Sequence, residues 1–137
     1  LDTNIILRHL MQDNADHSPR STALINDLEN GPPRARVTDP VVFEAVFTME
    51  RFFKIPRIDI ANELRRLIAL PGIDCPRIQL LRETFDVYPR ELGLSFVDCH
   101  VAIEAVMSGV GRVVSFDRKL GRIPGLTRLE PPVDFDR

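Results

Sequence analysis

A chain of 137 residues with 44% hydrophobic and 28% charged content has the make-up of one ordinary globular domain, long enough to bury a core without staples. Its formal net charge of −2 lacks the strongly basic signature of a chain that coats nucleic acid. No apolar run approaches the roughly 18 residues of a membrane span, there is no signal-peptide pattern, and the cysteines have no CxxC spacing that would indicate a disulfide framework or zinc site. A cytoplasmic setting away from membranes is the expectation. The basic residues are nearly all arginine, which suits phosphate contacts.

The chain opens on Leu1-Asp2-Thr3-Asn4, which reads as a strand end turning into a helix, with Thr3 or Asn4 as the cap and Ile5, Ile6, Leu7, Leu10 and Met11 apolar. A few further apolar residues are expected ahead of Leu1. A second helix takes Ser18 as N-cap, Pro19 at its first position and Gly31 past its end. Pro32-Pro33 precede a short strand around Ala35 to Thr38, and Asp39-Pro40 launch a helix from Val41 to Phe53. Ile58 to Leu70 predicts another helix, with Arg65 and Arg66 solvated, and Ile73 to Cys75 a short strand. A helix from Ile78 to about Glu91 follows, then one running on from Leu94-Ser95 and closed by Gly109 and Gly111. Arg112 to Phe116 is the best strand, β-branched and apolar, and it runs directly into Asp117-Arg118-Lys119-Leu120. A last strand is expected near Leu126 to Leu129. The domain spans residues 1–130 and the remaining 131–137 form a tail. Short strands alternating with longer helices predict an α/β fold with a mostly parallel central sheet flanked by helices.

In the helix that follows Ser95, His100, Glu104 and Ser108 form the polar stripe at about 100° per residue. Asp98 lies roughly opposite, level with Val101, Ala102 and Ala105, where a carboxylate needs a partner or a metal. The alternative is a capping box, Ser95-x-x-Asp98, in which the acid closes the first turn. Asp2 and Asp117 each follow an apparent strand, so both belong at the carboxyl edge where α/β sheets bind ligands, although either could be a plain cap or turn residue. Glu44 shares a helix side with Thr48 and Arg51, a face that is either solvated or turned to a polar groove. His9, His17 and His100 have no ligand spacing, no serine stands in a GxSxG elbow, and Gly109-Val110-Gly111 lacks the rest of a dinucleotide loop.

Four short motifs in this order, Leu1-Asp2-Thr3-Asn4, the Val41-Val42-Phe43-Glu44-Ala45-Val46 run, Ser95-Phe96-Val97-Asp98-Cys99-His100-Val101-Ala102 and Val113-Val114-Ser115-Phe116-Asp117-Arg118-Lys119-Leu120, resemble the PIN-domain nucleases. Within them the chain is most similar to VapC-type toxins of toxin–antitoxin pairs, from Leu1 to about Leu129. The resemblance implies a PIN-like α/β/α sandwich and metal-dependent cleavage of RNA. It implies a pocket in which Asp2, Glu44, Asp98 and Asp117 are the catalytic acids and hold Mg²⁺ or Mn²⁺, with Asn4 and Ser115 as supporting polar residues. An antitoxin partner and a homodimer follow from the same likeness. Arg8, Arg118 and Lys119 stand beside these acids as candidates to hold RNA phosphates, or as solvated surface. Two further readings share the fold: an RNA-processing nuclease, and a catalytically inactive PIN-domain module that binds RNA or protein.

The chemistry is coherent in itself. Two carboxylates about 5 Å apart repel by roughly 3 kcal/mol at an effective dielectric near 20, so four together demand a cation or raised pKa values. Their oxygens are hard ligands suited to Mg²⁺. The reaction expected of such a pocket is in-line attack of an activated water on a phosphodiester.

Overall fold

The computed structural model describes residues 1–136, which form six α-helices, four short strands and one 3₁₀ turn. In chain order the elements are α1 Thr3–Met11, α2 His17–Asp27, β1 Ala35–Arg36, α3 Asp39–Arg51, α4 Arg57–Ile68, β2 Ile73–Asp74, α5 Ile78–Val87, α6 Phe96–Met107, β3 Arg112–Val114, the 3₁₀ turn Arg118–Arg122 and β4 Thr127–Leu129. The fold is mixed α/β, and its strands pair parallel, as the alternation of short apolar runs and helices predicts. The sheet differs in extent from the single central sheet expected. The described strands make two separate pairs, β1 with β2 (Ala35 opposite Ile73) and β3 with β4 (Val113 opposite Arg128).

Several helix starts correct the sequence reading. The cap of α1 is Asp2, whose carboxylate accepts a hydrogen bond from the Thr3 amide, rather than Thr3 or Asn4. Helix α2 begins at His17, so Ser18 lies inside it, buried, with its hydroxyl accepting from the Asn14 amide. The Asn14 side-chain oxygen takes the amides of Asp16 and His17, which is the work expected of Ser18. Thr38 occupies the cap position of α3, with Pro40 in its first turn. Asp39 is thereby free to point at another helix. Helix α5 stops at Val87, and Tyr88 behind it is fully buried.

One continuous core joins these elements: Ile6 from α1, Val42, Val46 and Met49 from α3, Ile60, Leu64 and Ile68 from α4, Leu81 and Phe85 from α5, and Cys99 and Ala102 from α6. Aromatic rings tie α3, α5 and α6 together around Phe96, which lies 4.9 Å from Phe85, 5.3 Å from Tyr88 and 6.0 Å from Phe43 between ring centroids. Gly72 lets two loops touch: a Cβ there would lie 2.5 Å from the Leu28 carbonyl oxygen, which accepts the Gly72 amide. No helix among the described residues is long and apolar enough to cross a membrane.

Arg57 sets the course of the segment that leads into α6. Its guanidinium donates to Glu50 Oε1 at 2.9 Å and to the carbonyls of Tyr88, Glu91 and Leu94 at 3.1, 3.0 and 2.8 Å. The Tyr88 hydroxyl donates to the other Glu50 oxygen at 2.7 Å, and Arg57 lies over the tyrosine ring. One planar donor thus gathers the carbonyl at the α5 cap and two carbonyls of the loop that follows it. The loop between residues 88 and 95 is fixed by it, and with it the start of α6.

Candidate active site

The four acids share a local design. Asp2 Oδ1 accepts from the Thr3 amide at 2.8 Å, and Glu44 Oε2 accepts from the Thr3 hydroxyl at 3.1 Å. Asp98 Oδ2 accepts from the Ser95 amide at 2.9 Å, and Asp117 Oδ1 from the Lys119 amide at 3.0 Å. Each carboxylate is thus held through one oxygen, while the other accepts no hydrogen bond among the described residues. Three of the four stand at a helix start, where the positive end of the backbone dipole favours an anion.

The acids fall into two neighbouring pairs. Thr3 is buried between α1 and α3 and joins Asp2 to Glu44, so the exposed face of α3 that carries Glu44 abuts the start of α1. The turn that carries Asp117 meets the loop ahead of the Asp98 helix, where the Lys119 stem lies 2.7 Å from the place a Cβ on Gly93 would take. Phe43, next to Glu44, packs on Phe96 at the head of the Asp98 helix and so spans the pairs. Ser115 supports Asp117 directly, its hydroxyl accepting from the Asp117 amide at 3.0 Å. The Ser115 carbonyl accepts from Arg128 at 2.6 Å, and its amide extends the β3–β4 ladder to Leu129.

Asp98 does form the capping box: the Ser95 hydroxyl accepts its amide while its carboxylate takes the Ser95 amide. The side assigned to it requires correction. Asp98 is half-exposed rather than core-facing, and Val101 is exposed, whereas His100 from the supposed polar stripe is buried. Helix α6 is apolar nearly all round, so the few polar residues gave no reliable face. His100 Nε2 lies 3.1 Å from Asp39 Oδ2, with Phe43 edge-on to its ring at 4.7 Å. Arg77 extends this group, 3.4 Å from Asp39 and 2.5 Å from Glu104. The hydrogen bond from Arg77 holds the Glu104 carboxyl below its ordinary range. Spacing within single helices could not reveal this network, because its members come from α3, α6 and the residue ahead of α5.

The candidate phosphate-binding residues differ in their surroundings. Arg8 pairs with Asp13 at 2.7 Å, and Lys119 Nζ lies 3.7 Å from Asp117. Arg118 is exposed. Asn4 is also exposed and, with Arg8, lines a cleft between α1 and α2. Sequence reasoning missed Thr3, read as a cap, and Gly93, which had no signal. Cys75 and Cys99 are buried free thiols; burial pushes the Cys99 thiol up to about 12 and also raises that of Cys75.

Hard carboxylate oxygens at all four positions are the donor chemistry a magnesium-sized dication takes. As their side chains lie, no three histidine, cysteine, aspartate or glutamate side chains among the described residues converge closely enough to hold a metal ion. Comparison with known families gives one match, to the PIN domain, over residues 1–126. No curated protein matches the chain.

Proposed function

Because the chain belongs to the PIN-domain family, a family of nucleases, we propose that it is a metal-dependent endoribonuclease and the toxin of a toxin–antitoxin pair. One observation carries the reading. Four carboxylates sit on contiguous elements, each fixed through one oxygen and open at the other. Glu50, which serves the architecture, is instead engaged by Arg57 and Tyr88 through both oxygens.

Asp2, Glu44, Asp98 and Asp117 would hold Mg²⁺, with Mn²⁺ as the alternative. When bound, such an ion neutralises phosphate charge and lowers the pKa of water. The protein's own contribution is positioning. Thr3 sets the Glu44 carboxylate, Ser115 sets the Asp117 backbone, and the Arg57-fixed loop sets the first turn of α6 under Asp98. Arg8, Arg118 and Lys119 offer phosphate contacts along the RNA, with Asn4 beside them.

An acidic pocket of this kind also accepts a guanidinium, which pairs with carboxylates in bidentate geometry. The proposed antitoxin therefore inhibits by placing an arginine among the four acids. Phe47 and Phe52, 65% and 77% exposed, offer apolar area for a partner chain or for the second copy of a homodimer.

The test is cleavage of cellular RNA with Mg²⁺, with excess EDTA, and by Asp98→Asn. Cleavage that needs metal and is lost in the variant supports the mechanism; full activity in EDTA or in the variant overturns it. Growth arrest on expression, relieved by an antitoxin encoded beside the gene, supports the toxin role. Harmless expression together with defined cuts in a structured RNA precursor would instead favour the processing enzyme.

A further inference from the structure

A cleft of about 540 Å³ opens between α1 and α2 and falls within the roughly 300–1,000 Å³ range of small-ligand sites. Its composition is particular. Ile5 from α1 and Leu24 from α2 supply apolar surface, Leu24 being 39% exposed. Arg8, Arg20 and His17 give the cleft three basic side chains, while Asn4 and Ser21 offer an amide and a hydroxyl. No acid lines it. Arg8 is engaged by Asp13 at 2.7 Å, both side chains partly exposed, while Asp16 pairs loosely with the other two cations, at 3.4 Å from Arg20 and 3.6 Å from His17, all three strongly exposed. Exposed pairs of this kind are weak and yield readily to a competing anion. Asn4, which lines the cleft, lies two residues beyond Asp2 in the first turn of α1.

We propose that this cleft is a nucleotide subsite, seating one unstacked nucleotide of single-stranded RNA next to the phosphodiester held at Asp2. The inference rests on the nuclease reading above. Arg8 and Arg20 hold the phosphate, Ile5 and Leu24 cover the face of the base, and Asn4 and Ser21 meet its polar edge. Single-stranded RNA is bound by a basic groove that tracks the backbone together with side chains that cover the base faces, aromatic in the common modules and aliphatic here. The amide of Asn4 is a donor and an acceptor together, so it discriminates between base edges. Cleavage is therefore selective for the nucleotide beside the cut as well as for single strands.

The experiment uses the full chain and the variants Arg20→Ala, Leu24→Ala and Asn4→Ala, with circular dichroism to show that each folds. Binding of a fluorescent single-stranded RNA of random sequence is read by anisotropy in EDTA across a salt series. Cleavage of the same RNA is read by sequencing the product ends. Arg20→Ala is expected to weaken binding severalfold and to lower the salt slope by about one. It raises KM and leaves kcat near the parent value. Leu24→Ala weakens binding without changing the salt slope, and Asn4→Ala relaxes the base preference at one position beside the cut. A parent that cleaves RNA while all three variants bind and cleave as it does overturns the subsite and leaves the nuclease reading standing. A parent that neither binds nor cleaves RNA overturns both. Variants that lose a copurifying protein partner but keep parental RNA binding make the cleft a protein-docking groove, which also overturns the subsite.

Discussion

Arg57, which pins the loop ahead of α6 from the start of α4, and Asp98, in the helix that loop leads into, use charge in opposite ways. Arg57 is largely buried, and its guanidinium meets a carboxylate, three carbonyls and an aromatic face. Asp98 is half-exposed and satisfies only the local needs of its helix, leaving one oxygen without a protein partner. A saturated charge fixes architecture, because removing it strands several buried groups at once. An unsaturated charge at a helix start costs little to hold and remains available to a ligand. The His100–Asp39 contact is buried and, with Arg77, ties separate elements together as Arg57 does, although through Asp39 Oδ2 alone; Asp2, Glu44 and Asp117 fall with Asp98.

The sharpest way to break the contrast is Asp98→Asn. Asparagine retains the cap acceptor at nearly the same volume, so melting should be unchanged while RNA cleavage falls about 1,000-fold, the upper scale for losing one charge-stabilising group. A matched loss of stability and activity would mean that Asp98 belongs with Arg57. The converse variant, Arg57→Met, should lower stability by about 3 kcal/mol in a denaturant titration, since it takes the cation from Glu50 and the guanidinium donor from three carbonyls. Activity per folded molecule should fall less than in Asp98→Asn.

Metal addition separates the two kinds of charge further. Mg²⁺ at tenfold its dissociation constant should stabilise the parent by about 1.4 kcal/mol, read as a rise in melting temperature. Asp2→Asn combined with Asp117→Asn should abolish that rise, and Arg57→Met should keep it. An equal rise in all three proteins would place the metal elsewhere.

A further effect lies outside the working pH range. Burial raises the Cys99 thiol from an ordinary value near 9.0 to about 12. Between these values the unfolded chain releases a proton that the folded chain keeps, so ΔG of unfolding falls as pH rises. Stability from this group is complete below about pH 9 and lost as pH passes through about 12. Burial, and then its bond to Glu50, raises Tyr88 as well, which adds to the same alkaline limb. Cys99→Ala should shallow the limb in urea titrations at successive pH values and leave cleavage at neutral pH intact.

What the sequence determined by itself was local and periodic. Proline, glycine and apolar spacing placed six helices and the strands near Ala35, Ile73, Val113 and Leu129, because those signals act within a turn or two of chain. The Ser95-x-x-Asp98 box was legible for the same reason. Four acids in order pointed to the family that the PIN-domain match then supplied. Tertiary structure decided which side chains meet. His100 read as surface because its helix offered few polar residues to define a face; a carboxylate from α3, placed by packing, made its burial tolerable. Thr3 looked like a cap until α3 brought Glu44 to its hydroxyl, and Gly93 acquired a role only because the Lys119 stem crosses it. The cleft between α1 and α2 lies between two amphipathic helices whose relative placement no spacing within either one specifies. Contacts between residues distant in the chain depend on the sum of many weak packing preferences, and no single motif carries that sum.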